Sequence, residues 1–303
     1  MSTVDERTVS PGTVTGVDGE FDTDGAVRIL GPDQTELLKE LDRIFAGWGV
    51  AAGAREICPP PVFPVSDLAK FDVYKNFPHL TFVAGPLNTD HAADILTGGA
   101  RVEPAVMNDA RFGLPHATCY GAYLYYEGRR LESDTLVTLV NRCFRNETRY
   151  NGLRRLLSFQ MREVVALGGF EHTQRLLEEF SGRIEKFSDA LGLGLEKEAA
   201  TDPFFESGGA RALLQKLSPV KYEFHRGGLA IASVNTHRNF FGERCGITLA
   251  EQDEQDEQAQ QAHAFTSCVA FGLERWLAVL DEVYEGDTRA ALAAVRTAAQ
   301  QVS

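Results

Sequence analysis

The chain has 303 residues, of which 44% are hydrophobic and 24% charged, and its formal net charge is −13 at pH 7. This composition is ordinary for a globular protein with one large domain or two ordinary ones, and it excludes a disordered, collagen-like or rod-like chain. The acidic balance argues against broad binding to nucleic acid backbones, which needs a cationic face, but it leaves room for a small basic pocket.

The N-terminal part of the chain predicts one helix followed by a short strand. Residues 33–36 have the spacing of a capping box, and beyond them apolar residues recur at helical intervals. This pattern predicts an amphipathic helix over 35–48. A short strand then begins at Arg55 and stops at three prolines, 59–61. Because proline cannot join a central ladder, we expect this strand at a sheet edge or an interface.

The middle of the chain predicts several strands and a second helix. Two runs rich in aromatic and β-branched residues, 122–126 and 135–140, are predicted to be strands. Residues 153–167 are predicted to form a buried extended segment. Apolar residues at helical intervals predict a helix over 172–191.

Strands are also predicted in the last third, over 222–233 and 245–249. A polar run at 251–257 is interpreted as a solvated loop or helix face, and it leads into a helix predicted over 262–283. The strands are spaced too irregularly for alternating βαβ units. The predicted fold class is therefore α+β, with a mostly antiparallel sheet flanked by helices.

Five cysteines are scattered along the chain. A secreted disulfide framework is usually denser and even in number, and the N-terminus lacks the apolar segment of a signal peptide. No apolar run approaches the roughly 18 residues needed to span a bilayer. We therefore expect a cytoplasmic protein without membrane contact, whose reduced thiols are either buried apolar side chains or metal ligands.

Six arginines and no lysine lie within 142–162. Arginine is preferred where planar, bidentate recognition of phosphate is required. Arg145 and Glu147 are two residues apart, so on a strand they share a face. A glycine-bearing loop then returns the chain, so that Arg155 and Phe159 could face the same pocket. This order predicts a pocket for a nucleoside triphosphate; the alternative is an ordinary charged surface patch.

A second arginine motif lies near the C-terminal end of the chain. Residues 272–275 read G-L-E-R and are predicted to lie in a helix, after an apolar run. Alone this motif is weak, since many helices contain it. In series with F-R-x-E and a phenylalanine it supports a nucleotide site, in which one arginine meets the α-phosphate and another the γ-phosphate.

Taken together, these motifs resemble those of class II aminoacyl-tRNA synthetases. The segment 143–159 is similar to motif 2, and 272–275 is similar to motif 3. The helix over 35–48 with the strand before the prolines is similar to motif 1, which forms the dimer interface in that class. The residues of motif 2 are most similar to those of seryl-tRNA synthetases. The resemblance covers about 30–285 and implies a class II catalytic core and a homodimer.

Seryl-tRNA synthetases carry a long N-terminal arm that grips tRNA. Here only about 30 residues precede the first core helix, and the net charge is −13. We therefore expect no tRNA partner. The predicted organisation is a leader over 1–30, flexible or forming a short edge hairpin, and a class II synthetase-like catalytic domain over 31–303.

Cys119, Glu163 and Cys268 occupy positions that resemble the zinc ligands of the atypical, methanogen-type seryl-tRNA synthetases. The same ligands occur in their truncated relatives, the amino acid:carrier protein ligases. By this resemblance the three residues bind Zn²⁺ and leave one position for the α-amino group of the substrate. The alternative is that the cysteines are buried free thiols and that Glu163 pairs with Arg162 or another arginine.

The segment around Ser233 resembles the strand before motif 3, where seryl-tRNA synthetases hold magnesium through a glutamate and a serine. Ser233 matches the serine, but Ala230 stands in place of the glutamate. Glu223 or a water-mediated contact is the expected substitute. Asn235 and His237 are candidate contacts to the substrate or to a phosphopantetheine arm; the alternative for His237 is a purely structural role.

The resemblance implies an ATP-dependent, AMP-forming amino acid:carrier protein ligase. A small amino acid, with glycine or alanine as first expectation, would be activated to an aminoacyl-adenylate and transferred to the phosphopantetheine thiol of a carrier protein. Arg145 would neutralise the α-phosphate and the substrate carboxylate, while Arg155 and Arg275 hold the γ-phosphate. Glu147 would recognise the adenine amino group, and Phe159 would stack on the base. The alternatives are an aminoacyl-tRNA synthetase with a minimal tRNA surface and a non-catalytic paralogue.

Overall fold

The computed structural model of the chain describes residues 25–91, 102–206, 219–250 and 262–302. The strands of its central sheet are, in spatial order, β1 (Arg55–Glu56), β6 (Thr135–Phe144), β7 (Ser158–Gly168), β12 (Phe265–Gly272), β10 (Leu229–Arg238), β9 (Lys221–Arg226) and β8 (Glu196–Ala199). Neighbouring strands are antiparallel except β1 and β6, which are parallel. The predicted α+β class with a mostly antiparallel sheet is confirmed.

Two smaller sheets and a set of helices surround this sheet. The smaller sheets are β2 (Phe63–Pro64), β4 (Phe112–Leu114) and β3 (Phe82–Ala84), and the pair β11 (Thr248–Leu249) and β5 (Arg130–Leu131). The α-helices of the described residues are α1 (Pro32–Ala51), α2 (Val65–Lys70), α3 (Val73–Asn76), α4 (Tyr120–Tyr125), α5 (Phe170–Ala190), α6 (Phe240–Arg244), α7 (Leu273–Val283) and α8 (Thr288–Val302). Within the described ranges, no helix has the length and apolar character to cross a bilayer.

Alternate side chains of β7 separate two hydrophobic cores. Val164 and Ala166 belong to the core on the first face of the sheet, which α1, α5, α7 and α8 build. Val165 and Leu167 belong to the core on the second face, together with residues of α2, α3, α4 and α6. Since side chains alternate along a strand, Glu163 points toward the second face.

Arg162 points toward the first face and links α1 and β1 to the sheet. It is 2% exposed, and its guanidinium donates to both carboxylate oxygens of Asp42 (2.7 and 2.9 Å) and to Glu56 Oε1 (2.8 Å). The bidentate geometry offsets the burial of its charge. Arg162 is thus engaged on the face opposite to Glu163, and the alternative pairing of these two residues is wrong.

The helix predicted over 35–48 is confirmed as α1, and the helix predicted over 172–191 is confirmed as α5. The capping box is wrong: α1 begins after Gly31, with Pro32 in its first turn and no side-chain cap. Proline suits this position because its fixed φ is helical and no amide hydrogen is needed there.

The strand predicted over 122–126 is wrong, because these residues end the helix α4. Tyr120 and Tyr123 are three residues apart, so only a helix places both rings on one face. Tyr120 stacks on Phe71 (4.9 Å, 18°) and Tyr123 stacks on Phe241 (4.0 Å, 13°). Packing on the second face therefore overrides the β propensity of the aromatic residues.

The single helix predicted over 262–283 is also wrong. Its first half is β12, and only its second half, from Leu273, is the helix α7. The interior of β12 is buried on both faces, so it lacks the alternation that marks a strand and resembles a buried helix segment. The consequence is functional, because Cys268 lies on a central strand and Arg275 lies in the first turn of the helix that follows.

Three strand predictions hold only in part. Of 245–249, only Thr248–Leu249 pairs as a strand, because the preceding chain closes the helix α6 at Cys245. Of 153–167, the extended part begins at Ser158. The strand predicted at 135–140 is confirmed as part of β6. The stretch 222–233 is extended, but as a hairpin of β9 and β10 with a turn at Gly227 and Gly228 instead of one strand.

Arg145 and Glu147 lie beyond β6, which ends at Phe144, so they do not share a strand face as predicted. The polar run at 251–257 and the first 24 residues of the leader lie outside the described residues. The end of the leader, from residue 25, contacts the domain: Ala26 is buried and its carbonyl accepts the amide hydrogen of Leu157 (2.8 Å).

Candidate active site

A cavity of about 550 Å³ lies over β7, β12, β10 and β9 on the second face of the sheet. Its lining includes nine of the eleven predicted site residues, namely Cys119, Arg145, Phe159, Glu163, Ser233, Asn235, His237, Cys268 and Arg275. The other two, Glu147 and Arg155, line a small cleft of about 10 Å³, which shares Phe159 and Arg275 with the cavity. The structure therefore brings all the predicted site residues together.

Strand alternation explains how residues far apart in the chain meet here. Phe159 and Glu163 are four residues apart on β7 and face the same side. On β10, Asn235 lies directly opposite Cys268 of β12. Cys119 immediately precedes the helix α4, at its N-terminus. A strand, its neighbour and a helix terminus thus converge on one point of the cavity.

At that point Cys119, Glu163 and Cys268 form a buried cluster. Their ligand atoms, two sulfurs and a carboxylate oxygen, all lie within 4.8 Å of one another. Glu163 Oε1 accepts the backbone N–H groups of Thr118 (2.9 Å) and Cys119 (3.2 Å). Glu163 Oε2 is buried and has no hydrogen-bond partner among the described residues. A buried carboxylate oxygen without a partner is costly unless a ligand completes it.

The protonation of the cluster reflects mutual repulsion and burial. Burial raises the pKa of Glu163, although the Cys268 thiol and the two backbone N–H donors act against it. The hydrogen bond with Cys268, burial and the Glu163 carboxylate raise the pKa of Cys119 well above its usual range. The hydrogen bond with Cys119 lowers the pKa of Cys268, but burial and Glu163 outweigh it and the pKa is raised. Three neighbouring acids therefore resist ionisation unless a cation joins them.

The donor set fits a zinc ion. Thiolate sulfur and carboxylate oxygen are both ordinary zinc ligands, and three protein ligands leave one of four tetrahedral positions for another molecule. A bound cation would also give Glu163 Oε2 the partner that it lacks among the described residues, and it would explain why the two sulfurs lie so close together. Within the described ranges, Cys119, Glu163 and Cys268 are the one set of three or more acidic, thiol or imidazole side chains whose ligand atoms lie close enough together to bind a metal ion.

Asn235 and His237 lie next to this cluster. Asn235 Nδ2 donates to Cys268 Sγ (3.3 Å) and to Ser233 Oγ (3.2 Å), while its Oδ1 is buried without a partner among the described residues. His237 Nε2 lies 3.6 Å from Cys268 Sγ. Burial lowers the pKa of His237 to about 4, so the ring is neutral at pH 7. Both side chains thus contact a cluster thiol as well as the cavity.

Two arginines lie in another part of the cavity. Arg145 Nε and Nη2 donate to the carbonyl of His116 (3.2 and 3.1 Å), and its guanidinium lies over the ring of Phe159 (5.1 Å). Arg275 Nη1 donates to the carbonyl of Ala230 (3.0 Å). Burial and the Arg145 cation lower the pKa of Arg275 to about 10, which leaves it charged at pH 7.

Among the described residues, no salt bridge joins Arg145 or Arg275 to a carboxylate. Two cations held by backbone carbonyls beside a cavity form a site for an anion. In the adjoining cleft, Arg155 lies 3.8 Å from Glu147. Of the six arginines within 142–162, Arg145 therefore lines the cavity and Arg155 the adjoining cleft, whereas Arg162 lies on the opposite face of the sheet.

The predicted magnesium position differs from the seryl-tRNA synthetase pattern, as Ala230 already indicates. Glu223 lies opposite Ser233 in the ladder between β9 and β10, and both line the cavity. The carboxylate of Glu223 contacts Lys221 (3.0 Å) and His225 (3.3 Å). A carboxylate is thus present on the neighbouring strand, but it is already paired with the Lys221 ammonium.

Sequence reasoning missed several charged or polar cavity residues, among them Lys221 and His116. Lys221 Nζ lies 3.2 Å from Asp202 and 3.0 Å from Glu223; burial acts to lower its pKa, but these carboxylates outweigh it and the pKa is raised. His116 Nε2 is hydrogen-bonded to the hydroxyl of Tyr120, and burial lowers the pKa of His116 to about 3. No motif joins these residues, and the sole signal is the alternation of Lys221 and Glu223 along one strand.

Solved structures with the same fold are class II aminoacyl-tRNA synthetases. The chain superposes on the seryl-tRNA synthetase of M. kandleri with a TM-score of 0.71 at 18% identity, over 88% of this chain and 55% of that one. For the seryl-tRNA synthetase of Pyrococcus horikoshii, solved with ATP, the TM-score is 0.62 at 12% identity, over 85% and 53%. The chain spans about half the length of these structures. They show that its fold is the class II catalytic core.

No protein-family model matches the chain. It is 30% identical over 260 residues to amino acid–acyl-carrier-protein ligase 1 of Bradyrhizobium diazoefficiens, which is 81% of this chain and 76% of that protein. Ligase 2 of the same organism is 31% identical over 231 residues, or 71% and 66% of the two chains. A type-2 serine–tRNA ligase of Methanococcus maripaludis is 23% identical, over 76% of this chain and 42% of that one. The chain belongs to the amino acid–acyl-carrier-protein ligase family.

Proposed function

We propose that the protein activates a small amino acid with ATP and transfers it to the phosphopantetheine thiol of a carrier protein. The observation that carries this proposal is that the cluster of Cys119, Glu163 and Cys268 shares one cavity with Arg145 and Arg275, which pair with no carboxylate among the described residues. An amino acid bound between them would have its amino group at the cluster and its carboxylate near the arginines.

In the first step, a carboxylate oxygen of the amino acid attacks the α-phosphorus of ATP and pyrophosphate leaves. Arg145 neutralises the carboxylate and the α-phosphate, while Arg155 and Arg275 hold the γ-phosphate. Phe159 stacks on the adenine, and Glu147 accepts a hydrogen bond from its amino group. Such chemistry depends mainly on positioning and charge neutralisation, which preorganised arginines supply.

Cys119, Glu163 and Cys268 would hold a zinc ion, which when bound supplies a Lewis acid for the α-amino group of the substrate. The rest of the recognition falls to the chain itself. Asn235 Oδ1, which is buried without a partner in the described part of the chain, can accept an N–H of the amino acid. Ser233 and Glu223 are proposed to contact the magnesium ion that accompanies ATP.

In the second step, the thiol sulfur of phosphopantetheine attacks the carbonyl carbon of the adenylate. The carbon–oxygen bond to AMP breaks, AMP leaves and the thiol proton passes to solvent. No protein nucleophile is needed. We also propose that tRNA is not an acceptor, because the net charge of −13 disfavours binding to a polynucleotide.

Pyrophosphate exchange with a panel of amino acids tests the first step. Exchange is expected with glycine or alanine, and labelled amino acid is expected on a phosphopantetheinylated carrier protein. The apo-carrier, which lacks the thiol, is the matched control, and unfractionated tRNA is the second acceptor. Exchange with no amino acid would favour a non-catalytic paralogue, while label on tRNA would favour a synthetase.

Besides the motif 1 segment of α1 and β1 that the resemblance implies, the proposed homodimer has a second candidate interface on the three-stranded sheet. Val83, Leu87 and Phe112, on or beside this sheet, are 52%, 42% and 46% exposed. An exposed apolar surface of this kind often marks an interface. Phe112→Lys is expected to convert dimers to monomers in sedimentation velocity. Phe170→Lys, at a 51% exposed phenylalanine of α5, is the control and should stay dimeric; unchanged mass for Phe112→Lys would contradict this interface.

A further inference from the structure

The backbone of β10 is irregular where His237 stands. The register against β12 shifts between Thr236 and Arg238, and Arg238 has a φ of 54°, in the left-handed region. A bulge of this kind redirects a side chain, and a non-glycine residue keeps such a φ where its surroundings impose it. The direction of the His237 ring is therefore set by a local distortion of the strand.

The ring of His237 is held on both nitrogens. Nδ1 lies 3.1 Å from the hydroxyl of Tyr123 and 3.4 Å from that of Thr266. Nε2 lies 3.6 Å from Cys268 Sγ. The edge of the ring also packs on Phe241, with centroids 4.9 Å apart at 80°. Each of these hydroxyls can donate to Nδ1, and a donor at Nδ1 favours the tautomer whose ring hydrogen is on Nε2, which faces the sulfur.

The charge of the cluster gives this hydrogen bond a function. Two thiolates and one carboxylate carry three negative charges, so a divalent cation leaves one negative charge in a buried place. N–H donors to the ligand atoms offset that charge. Glu163 receives two from the backbone, and Cys268 receives one from Asn235. His237 is in place to give Cys268 a second donor.

We propose that His237 is a positioning residue of the metal centre, whose Nε2–H donates to the Cys268 thiolate while the Tyr123 hydroxyl holds the ring in that tautomer. This inference rests on the zinc site of the proposed function. It assigns to His237 a role distinct from direct contact with the substrate. Groups that orient metal ligands in this way typically contribute 10- to 100-fold to metal affinity.

The test compares His237→Ala with His237→Gln. The alanine variant removes the donor, whereas the glutamine Nε2 reaches about as far as the imidazole Nε2 and still carries hydrogens. Zinc affinity is measured on the purified chains by competition with a coloured chelator. We expect His237→Ala to bind zinc about 10- to 100-fold more weakly than wild type, and His237→Gln to stay close to wild type.

The cobalt-substituted protein gives a second readout. An N–H donor lowers the energy of the sulfur lone pair, so its loss moves the sulfur-to-cobalt charge-transfer absorption to longer wavelength. We expect this shift in His237→Ala and its reversal in His237→Gln. His172→Ala is the control, because His172 contacts the carbonyl of Thr135 at the start of β6 and is not part of the metal cluster. It should change neither the affinity nor the spectrum.

Three results would overturn the inference. Wild-type affinity in a folded His237→Ala variant means that no donor is needed. If His237→Gln loses as much zinc affinity as is expected for His237→Ala, the ring acts by packing alone; this result stands even if the alanine variant does not fold. A complete loss of metal in a folded alanine variant means that His237 is itself a ligand. Wild-type protein that binds no zinc would contradict the zinc site as well, which separates failure of the proposed function from failure of this inference.

Discussion

Replacing Cys268 or Cys119 by alanine is expected to remove bound zinc and to abolish amino acid-dependent pyrophosphate exchange. Each thiol supplies one of three converging ligand atoms, so the loss of zinc affinity should exceed the roughly 100-fold that outer groups contribute. Metal content of the purified protein and exchange activity on the same sample measure both effects. If zinc and exchange persist in either variant, the zinc assignment is wrong.

Cys245→Ala is the matched control for these variants. Cys245 is buried in the same hydrophobic core but is not part of the cluster. It should keep both zinc and exchange. Thermal unfolding adds an independent readout: zinc at about 100 times its dissociation constant should raise the free energy of unfolding of wild type and Cys245→Ala by about 2.7 kcal/mol. No such rise is expected for Cys268→Ala.

Arg275→Ala is expected to lower kcat/KM for ATP by an amount equivalent to about 2–4 kcal/mol of transition-state stabilisation, the scale of losing one preorganised donor. This corresponds to about 30- to 900-fold in pyrophosphate exchange. The physical reason is that Arg275 is a charged donor at the cavity whose hydrogen bond within the protein goes to a carbonyl, that of Ala230. Removal would therefore leave the phosphates without that cation.

Two further variants make this test specific. Arg275→Lys keeps a positive charge but loses the planar fork, so an intermediate loss is expected. Arg43→Ala removes an exposed arginine of α1 that pairs with Glu40 and should leave exchange unchanged, since exposed ion pairs contribute little to stability. Wild-type exchange kinetics in Arg275→Ala would contradict the assignment of motif 3.

The nucleotide end of the cavity could be predicted from sequence because its residues lie in short local motifs. The order of Arg145, Glu147, Arg155 and Phe159 identifies their chemistry before any contact is known. Their geometry was less accessible. Arg145 and Glu147 prove to lie beyond the end of β6, where loop packing and the carbonyl of His116 place the arginine.

The secondary-structure errors share a physical cause. In α4 and β12, burial on the second face or on both faces removes the polar side chains that would reveal a period of two or of 3.6. Tyr123 and Cys268 are examples, at 0% and 3% exposure. Where a helix keeps one solvated face, as in α1 and α5, the same reasoning was correct.

The amino-acid end of the cavity shows most clearly which features follow from the sequence and which follow only from the tertiary structure. By itself the sequence determined the acidic balance, the arginine segment with its nucleotide motifs, and, through resemblance, the identity of three ligand residues. Only the tertiary structure decided that Cys119, Glu163 and Cys268 meet, that Glu163 Oε2 is buried without a partner among the described residues, and that His237 faces Cys268. The reason is that strand neighbours β7 and β12 are about 100 positions apart in sequence, so their pairing follows from packing rather than from any local pattern.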